Sequence, residues 1–140
     1  MTTIEFFVEG IPKPGGSKTS IYSKKLGRVL TFDACKKNPE WRTAVELFAR
    51  ESYKGQPLTG PLRLTVTFVV QRPKSHSGKN GLLPKAPAFP ITRPDATKLL
   101  RSTEDALTGI LWIDDAQIVE QHVTKTYGDV PGAHIVVSNN

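Results

Sequence analysis

The residues with the clearest chemical potential are acids that are concentrated in one stretch of an otherwise basic chain. Seven of the thirteen acids lie between Asp95 and Asp129. Asp95 stands directly after a proline at a predicted helix start, and the pair Asp114-Asp115 follows the end of that helix. Carboxylates hold Mg²⁺, while Lys and Arg hold polyanions. The combination therefore indicates metal-assisted cleavage of a phosphodiester.

The remainder of the chain is strongly basic. Its 140 residues carry a formal net charge of +6, and two long stretches contain no acid at all. Residues 10–32 include five Lys and Arg, and residues 52–94 include seven. This separation of charge is typical of a polyanion-binding surface around an acidic pocket. Lysine-rich loops that serve only solubility are the alternative interpretation.

Length and composition indicate one α+β domain, residues 1–140. An apolar content of 38% and a charged content of 23% are globular values, and the chain is long enough to bury a single core. The sequence has no basic leader and no apolar run near the roughly 18 residues of a membrane helix. We therefore expect a cytoplasmic protein that has no membrane partner.

Local patterns predict the elements that must position the acids. Helical periodicity begins at Asn38 and again over residues 95–108, where Leu99, Leu100 and Thr103 mark a buried side. Alternating apolar patterns predict strands at residues 4–8, 28–32, 62–70, 117–127 and 133–137. This order predicts a mixed β-sheet with two main helices packed on one face. Residues 72–92, rich in Pro, Gly and Lys, are predicted to form a long mobile basic loop.

Each acid also has a purely structural interpretation. An Asp immediately before a helix is a favoured N-cap, which would account for Asp95. Asp114-Asp115 would suit a turn into a strand. Arg101 and Asp105 are one helical turn apart and would suit a surface ion pair.

Taken together, however, the residues between 93 and 125 resemble the RusA family of Holliday-junction resolvases. The matching residues are Pro94-Asp95, Leu99, Arg101, Asp105-Ala106-Leu107-Thr108-Gly109, Trp112 and Asp114-Asp115-Ala116-Gln117. The resemblance implies a RusA-like fold and a bacterial or prophage endodeoxyribonuclease that requires Mg²⁺ or Mn²⁺. It further implies a homodimer that binds four-way DNA junctions and nicks opposed strands in recombination and repair.

By position, the resemblance implies catalytic roles for Asp95, Asp115 and Arg101, and metal binding by Asp95 and Asp115. Asp114, beside Asp115, and the hydroxyl of Thr97 are predicted to add metal contacts. Arg101 stands where the family usually has a lysine, and an arginine can clamp a phosphate and stabilise developing charge. Thr97 replaces a second family aspartate, and the loss of that charge should weaken Mg²⁺ binding. The alternative function is therefore a junction-binding protein with weakened or absent catalysis. A general basic DNA-binding domain is a third.

Basic residues around this cluster are predicted to contact flanking phosphates. Binding would then follow junction shape and salt concentration rather than base sequence. The predicted DNA contacts are Lys24, Lys25, Arg28, Lys74, Lys79, Lys85, Arg93 and Lys98.

Overall fold

The computed structural model describes residues 2–14, 18–23, 28–33 and 38–139. All of the predicted strands and both predicted helices are present. Along the described chain the elements are β1 (Thr3–Glu9), β2 (Lys18–Ser23), β3 (Arg28–Asp33), α1 (Asn38–Ser52), β4 (Leu62–Val70), β5 (Ser77–Gly78), β6 (Gly81–Leu82), α2 (Ala96–Leu107), β7 (Ile118–Tyr127) and β8 (Gly132–Ser138). Short 3₁₀ turns occupy Lys74–His76 and Asp115–Gln117.

Four strands form the main sheet, in the order β1-β8-β4-β7. Strand β8 pairs antiparallel with β1 on one side and with β4 on the other. Strand β4 pairs parallel with β7. The sheet is therefore mixed, as predicted, and β4 lies in its interior. Strands β2 and β3 form a separate antiparallel hairpin, and so do β5 and β6.

The two helices cover one face of the main sheet. Buried and exposed residues alternate along β1 and through most of β4, because successive side chains of a strand point to opposite faces. The inward side chains join apolar residues of both helices in one core. Its largest fully buried members include Trp41, Trp112, Phe68, Leu62, Leu64, Leu99 and Leu107.

A polar bridge inside the core joins the two helices. The indole Nε1 of Trp41 on α1 donates to Oγ1 of Thr103 on α2 at 3.2 Å. The Thr103 hydroxyl in turn donates to the carbonyl of Leu99 at 2.9 Å, so both buried polar groups are satisfied. Among the described residues, no helix combines the length and the apolar content that crossing a bilayer requires.

Helix α2 is the crossover between the parallel neighbours β4 and β7. Parallel strands require such a crossover because the chain must return to the same end of the sheet. The helix therefore runs opposite to β7. Gln121, early in β7, contacts Glu104 near the end of α2, whereas Lys125, late in β7, contacts Pro94 just before the helix begins. The start of α2 thus lies at the carboxyl ends of β4 and β7.

The segment 72–92 is more structured than the plain loop that the sequence predicts. It contains a 3₁₀ turn and the hairpin β5–β6. The Arg72 guanidinium lies 4.2 Å from the ring centroid of Tyr127 at the end of β7 and donates to the carbonyl of Pro87 at 2.8 Å. The His76 ring packs edge-on against the same tyrosine. These contacts tie the segment to β7, and its mobility stays a prediction.

Candidate active site

Asp95 occupies the N-cap position of α2 without capping it. Its backbone is extended, with φ −69° and ψ 143°, and its side chain accepts no capping hydrogen bond. The carboxylate is 59% exposed and lies 3.9 Å from Nζ of Lys98, one turn into the helix. Capping therefore does not account for this carboxylate, which remains available to a ligand.

A cleft of about 430 Å³ opens beside Asp95. Its walls are the chain that follows β1 and the start of α2. The apolar lining comes from Ile11, Pro12, Pro14 and Pro94, and the polar lining comes from Lys13, Arg93, Asp95 and Lys98. Three cations and one carboxylate thus meet at a concave surface, which suits an anionic ligand that has an apolar part.

Lys125 holds the backbone that leads into the cleft. Its Nζ donates to the carbonyl of Thr92 at 2.9 Å and to that of Pro94 at 3.0 Å. Lys125 on β7 pairs with Phe68 on β4. Because Phe68 is buried beneath the helices, the Lys125 side chain points to the same, helix-covered face of the sheet. Its ammonium group is therefore directed at the helix start, where it fixes the residues immediately before Asp95.

The first turns of α2 present an exposed polar stripe. Thr97 and Arg101 are both exposed and are four residues apart, which places them on one side of the helix. Arg101 lies about 9 Å along the helix axis from Asp95. Within the described part of the chain, no ion pair joins Arg101 to Asp105. The Arg101 guanidinium is thus not held by the ion pair that helical spacing would allow.

Asp114 and Gln117 form a structural motif at the other end of α2. Oδ1 of Asp114 accepts a hydrogen bond from the Ala116 amide at 2.9 Å, and Oε1 of Gln117 accepts one from the Asp114 amide at 3.1 Å. This reciprocal pair is a capping box around the 3₁₀ turn. The Gln117 amide nitrogen also donates to the carbonyls of Leu58 and Gly60. For Asp114 the turn interpretation is therefore confirmed, and one of its oxygens is already engaged.

Glu104 is a buried acid that sequence patterns did not identify. It is 9% exposed, and its carboxyl accepts a 2.5 Å hydrogen bond from Nε2 of Gln121. Burial raises the pKa of Glu104; the hydrogen bond from Gln121 opposes this, while the negative charges of Asp115 and Asp105 add to it. The Asp115 charge therefore acts on Glu104, which places Asp115 near the end of α2.

Asp95 and Asp115 lie at opposite ends of the crossover. From Ile118 to Lys125 strand β7 advances about 23 Å, and Asp115 precedes Ile118 while Lys125 contacts the residue next to Asp95. The two carboxylates are therefore on the order of 20 Å apart. Among the described residues, no three His, Cys, Asp or Glu side chains are grouped so that they could hold a metal ion.

This arrangement separates, within one chain, residues that the family resemblance assigns to one metal site. A single chain brings Asp95, Thr97 and Arg101 to one end of α2 and leaves Asp114 and Asp115 at the other. The two sets therefore do not surround one ion within one chain. The roles of these residues as metal ligands and catalytic groups stay predictions.

Comparison with known families decides the identity of the fold. The family model described as Endodeoxyribonuclease RusA matches residues 13–138. The chain belongs to the RusA family. Membership indicates endodeoxyribonuclease activity. RusA-family nucleases bind branched DNA and generally depend on a divalent metal. The chain is also similar to "Uncharacterized protein YqaN" of Bacillus subtilis (strain 168), with 29% identity over 140 residues that cover 98% of this chain and 96% of that protein.

In this RusA-family chain the predicted DNA contacts are distributed over several elements. Arg93 and Lys98 line the cleft. Arg28 begins β3, and Lys24 and Lys25 lie outside the described residues. The remaining three, Lys74, Lys79 and Lys85, are exposed on the segment 72–92.

Two residues near this RusA-family site, Lys125 and Glu104, carry a weak sequence signal. Lys125 follows Gln121 and Val123 at a spacing of two, so strand alternation would have placed it on the helix-facing side. Glu104 falls between Leu100 and Leu107 at helical spacing. Charged residues at such positions are informative because burial of a charge requires a partner.

Proposed function

We propose that this RusA-family protein is a cytoplasmic, homodimeric Mg²⁺-dependent endonuclease that nicks opposed strands of four-way DNA junctions. One observation carries the proposal: an exposed carboxylate, Asp95, performs no capping and borders a cleft that contains three cations. A carboxylate that caps the helix would serve stability, whereas an exposed one that lies beside Lys and Arg suits a metal and a phosphate.

The chain's own residues have separable tasks in this hypothesis. Arg93, Lys98 and Lys13 bind phosphates of the strand to be cut, because each reaches the cleft beside Asp95. Arg101 stabilises the charge that develops on the phosphoryl oxygens, a task for which a permanently protonated guanidinium is suited. In-line attack by water leaves a 5′-phosphate and a 3′-hydroxyl.

One chain supplies only part of a usual Mg²⁺ ligand set at this site. Mg²⁺ is commonly held by one or two carboxylates together with waters and substrate phosphates. Asp95 supplies one carboxylate, and Thr97 supplies only a neutral hydroxyl. A bound Mg²⁺ would lower the pKa of a water and polarise the scissile phosphate. A second carboxylate must come from elsewhere if the site is to match the usual ligand charge.

We therefore propose that two chains complete each other's site. In a twofold dimer whose α2 helices lie antiparallel, the start of one helix faces the end of the other. Asp95 would then approach Asp115 of the partner subunit, and the symmetry would produce two such sites for two nicks. The separation of the two acids along one crossover supports this arrangement.

The test is a nicking assay on a synthetic four-way junction, compared with a linear duplex of the same sequence. Symmetric nicks that require Mg²⁺ and disappear in Asp95→Asn and in Asp115→Asn support the proposal. A wild-type protein that binds the junction but produces no nick with Mg²⁺ or Mn²⁺ contradicts it. Both substitutions preserve side-chain shape, so a circular dichroism spectrum like that of the wild type serves as the folding control.

Thr97 favours a second candidate function, a junction-binding protein that has lost catalysis. A neutral residue at this position lowers the negative charge available to a cation. This candidate predicts tight, metal-independent junction binding without nicks. Equal affinity for junction and duplex would instead indicate a general DNA-binding domain.

A further inference from the structure

The cleft beside Asp95 is larger and more apolar than phosphate or metal binding requires. Its volume of about 430 Å³ lies within the range of small-molecule pockets, roughly 300–1,000 Å³. Ile11 projects from one wall and Pro94 from the other. Contacts to phosphate alone need only cations and amide groups. The apolar walls therefore indicate a ligand that also has an apolar part.

Ile11 is the most informative residue of these walls. It is 61% exposed, although isoleucine is among the residue types most often buried. It lies two residues from Lys13 and shares the cleft with Arg93. An exposed apolar side chain flanked by cations is complementary to a nucleotide, which combines a flat apolar base with an anionic phosphate.

We propose that this cleft receives one unstacked nucleotide of the strand to be cut. Ile11 and Pro94 contact the face of the base, while Lys13 and Arg93 hold its phosphate next to Asp95. The proposal rests on the nuclease function and specifies how that site takes its substrate. Unstacking costs least where the pairing and stacking of a base are already disturbed, and the branch point of a junction interrupts the continuous stacking of a duplex. The cleft would therefore contribute to the selection of branched DNA.

The first test measures unstacking without cleavage. Junctions that carry 2-aminopurine in turn at the positions flanking the crossover are mixed with the wild-type protein in the absence of divalent metal. Fluorescence should rise at one position on binding, because an unstacked 2-aminopurine is less quenched. The rise should be lost in Ile11→Ser and retained in Leu47→Ser, a matched control whose side chain is 57% exposed on α1. No rise at any position, or equal loss in both variants, overturns the proposal.

The second test measures the rate of nicking at saturating protein. Ile11→Ser should lower this rate about tenfold with little change in junction affinity, and Lys13→Ala should lower both the rate and the affinity. Leu47→Ser and Lys54→Ala should leave the rate unchanged. Rates that are equal in cleft and control variants contradict the nucleotide subsite. If the wild-type protein makes no nick, the nuclease function fails. An Ile11-dependent fluorescence rise would even then support nucleotide binding in the cleft.

Discussion

The amide of Gln121 on β7 donates a 2.5 Å hydrogen bond to the carboxyl of Glu104 on α2. This contact joins the last turns of the crossover helix to the edge strand of the sheet. It also leaves an acid inside the fold with a raised pKa, because burial disfavours its charged form. The pH dependence of stability should therefore report on this pair.

Glu104→Gln should stabilise the protein at neutral pH. The folded state binds the Glu104 proton more tightly than the unfolded chain does, because the pKa of Glu104 is raised in the fold. Protonation of Glu104 therefore contributes fully to stability below the ordinary pKa of 4.5. This contribution is lost as the pH rises through the higher pKa of the folded state. A glutamine keeps an acceptor for Gln121 without the charge. We expect a gain on the order of 0.5–1 kcal/mol at pH 7 that vanishes near pH 4. Urea unfolding at both pH values measures it, and Glu51→Gln is the exposed control.

Lys125→Met should impair nicking more than junction binding. The substitution keeps the aliphatic stem but removes the hydrogen bonds to the carbonyls of Thr92 and Pro94. Misplacement of Asp95 should lower the nicking rate at saturation by about tenfold or more. Lys79→Met, on the exposed hairpin segment, should instead weaken binding and reduce its salt dependence. Identical behaviour of the two variants would argue against a positioning role for Lys125.

Thr103→Val should destabilise the core without changing the chemistry. The valine leaves the buried indole N–H of Trp41 without its acceptor, which costs about 1–3 kcal/mol. Urea unfolding measures the loss, and the nicking rate of the folded variant should equal that of the wild type. Thr65→Val, on the exposed side of β4, is the matched control and should change stability by no more than about 0.5 kcal/mol.

Thr97→Asp should strengthen metal binding. The substitution restores a carboxylate two residues from Asp95 on the exposed side of α2. We expect the Mg²⁺ concentration that gives half-maximal nicking to fall roughly tenfold. Thr97→Asn, similar in size but neutral, should leave it unchanged. A response shared by both variants would show that side-chain size matters there rather than charge.

Mixed dimers test whether two chains share each site. Asp95→Asn and Asp115→Asn, each inactive alone, should recover nicking when co-expressed with different affinity tags. Each mixed dimer purified through both tags then contains one site with both native acids, so about half of the wild-type sites should return. Asp95→Asn paired with the double variant restores no site and is the control. An absence of nicking in purified mixed dimers would contradict the shared site.

The helices and strands were predictable because their signals are local. Trp41, Val45 and Ala49 on α1 recur at helical spacing, and all three are buried. The alternation of Leu62, Leu64 and Val66 likewise predicts a strand with one buried face. Burial follows a period of 3.6 or 2 residues for reasons of backbone geometry, so pattern alone reveals which residues face a core.

The arrangement of the site depended on contacts between residues remote in sequence. Sequence patterns identified the motif residues and the RusA family, and the resemblance led to the expectation that Asp95 and Asp115 share one metal site. The parallel pairing of β4 with β7 makes α2 a crossover, which holds the two acids apart. Residue types and spacing therefore determined the elements and the family of this protein. Tertiary structure alone decided which ends of α2, β4 and β7 lie together. The pairing of strands and contacts such as that of Lys125 with Pro94 depend on the path of the whole chain.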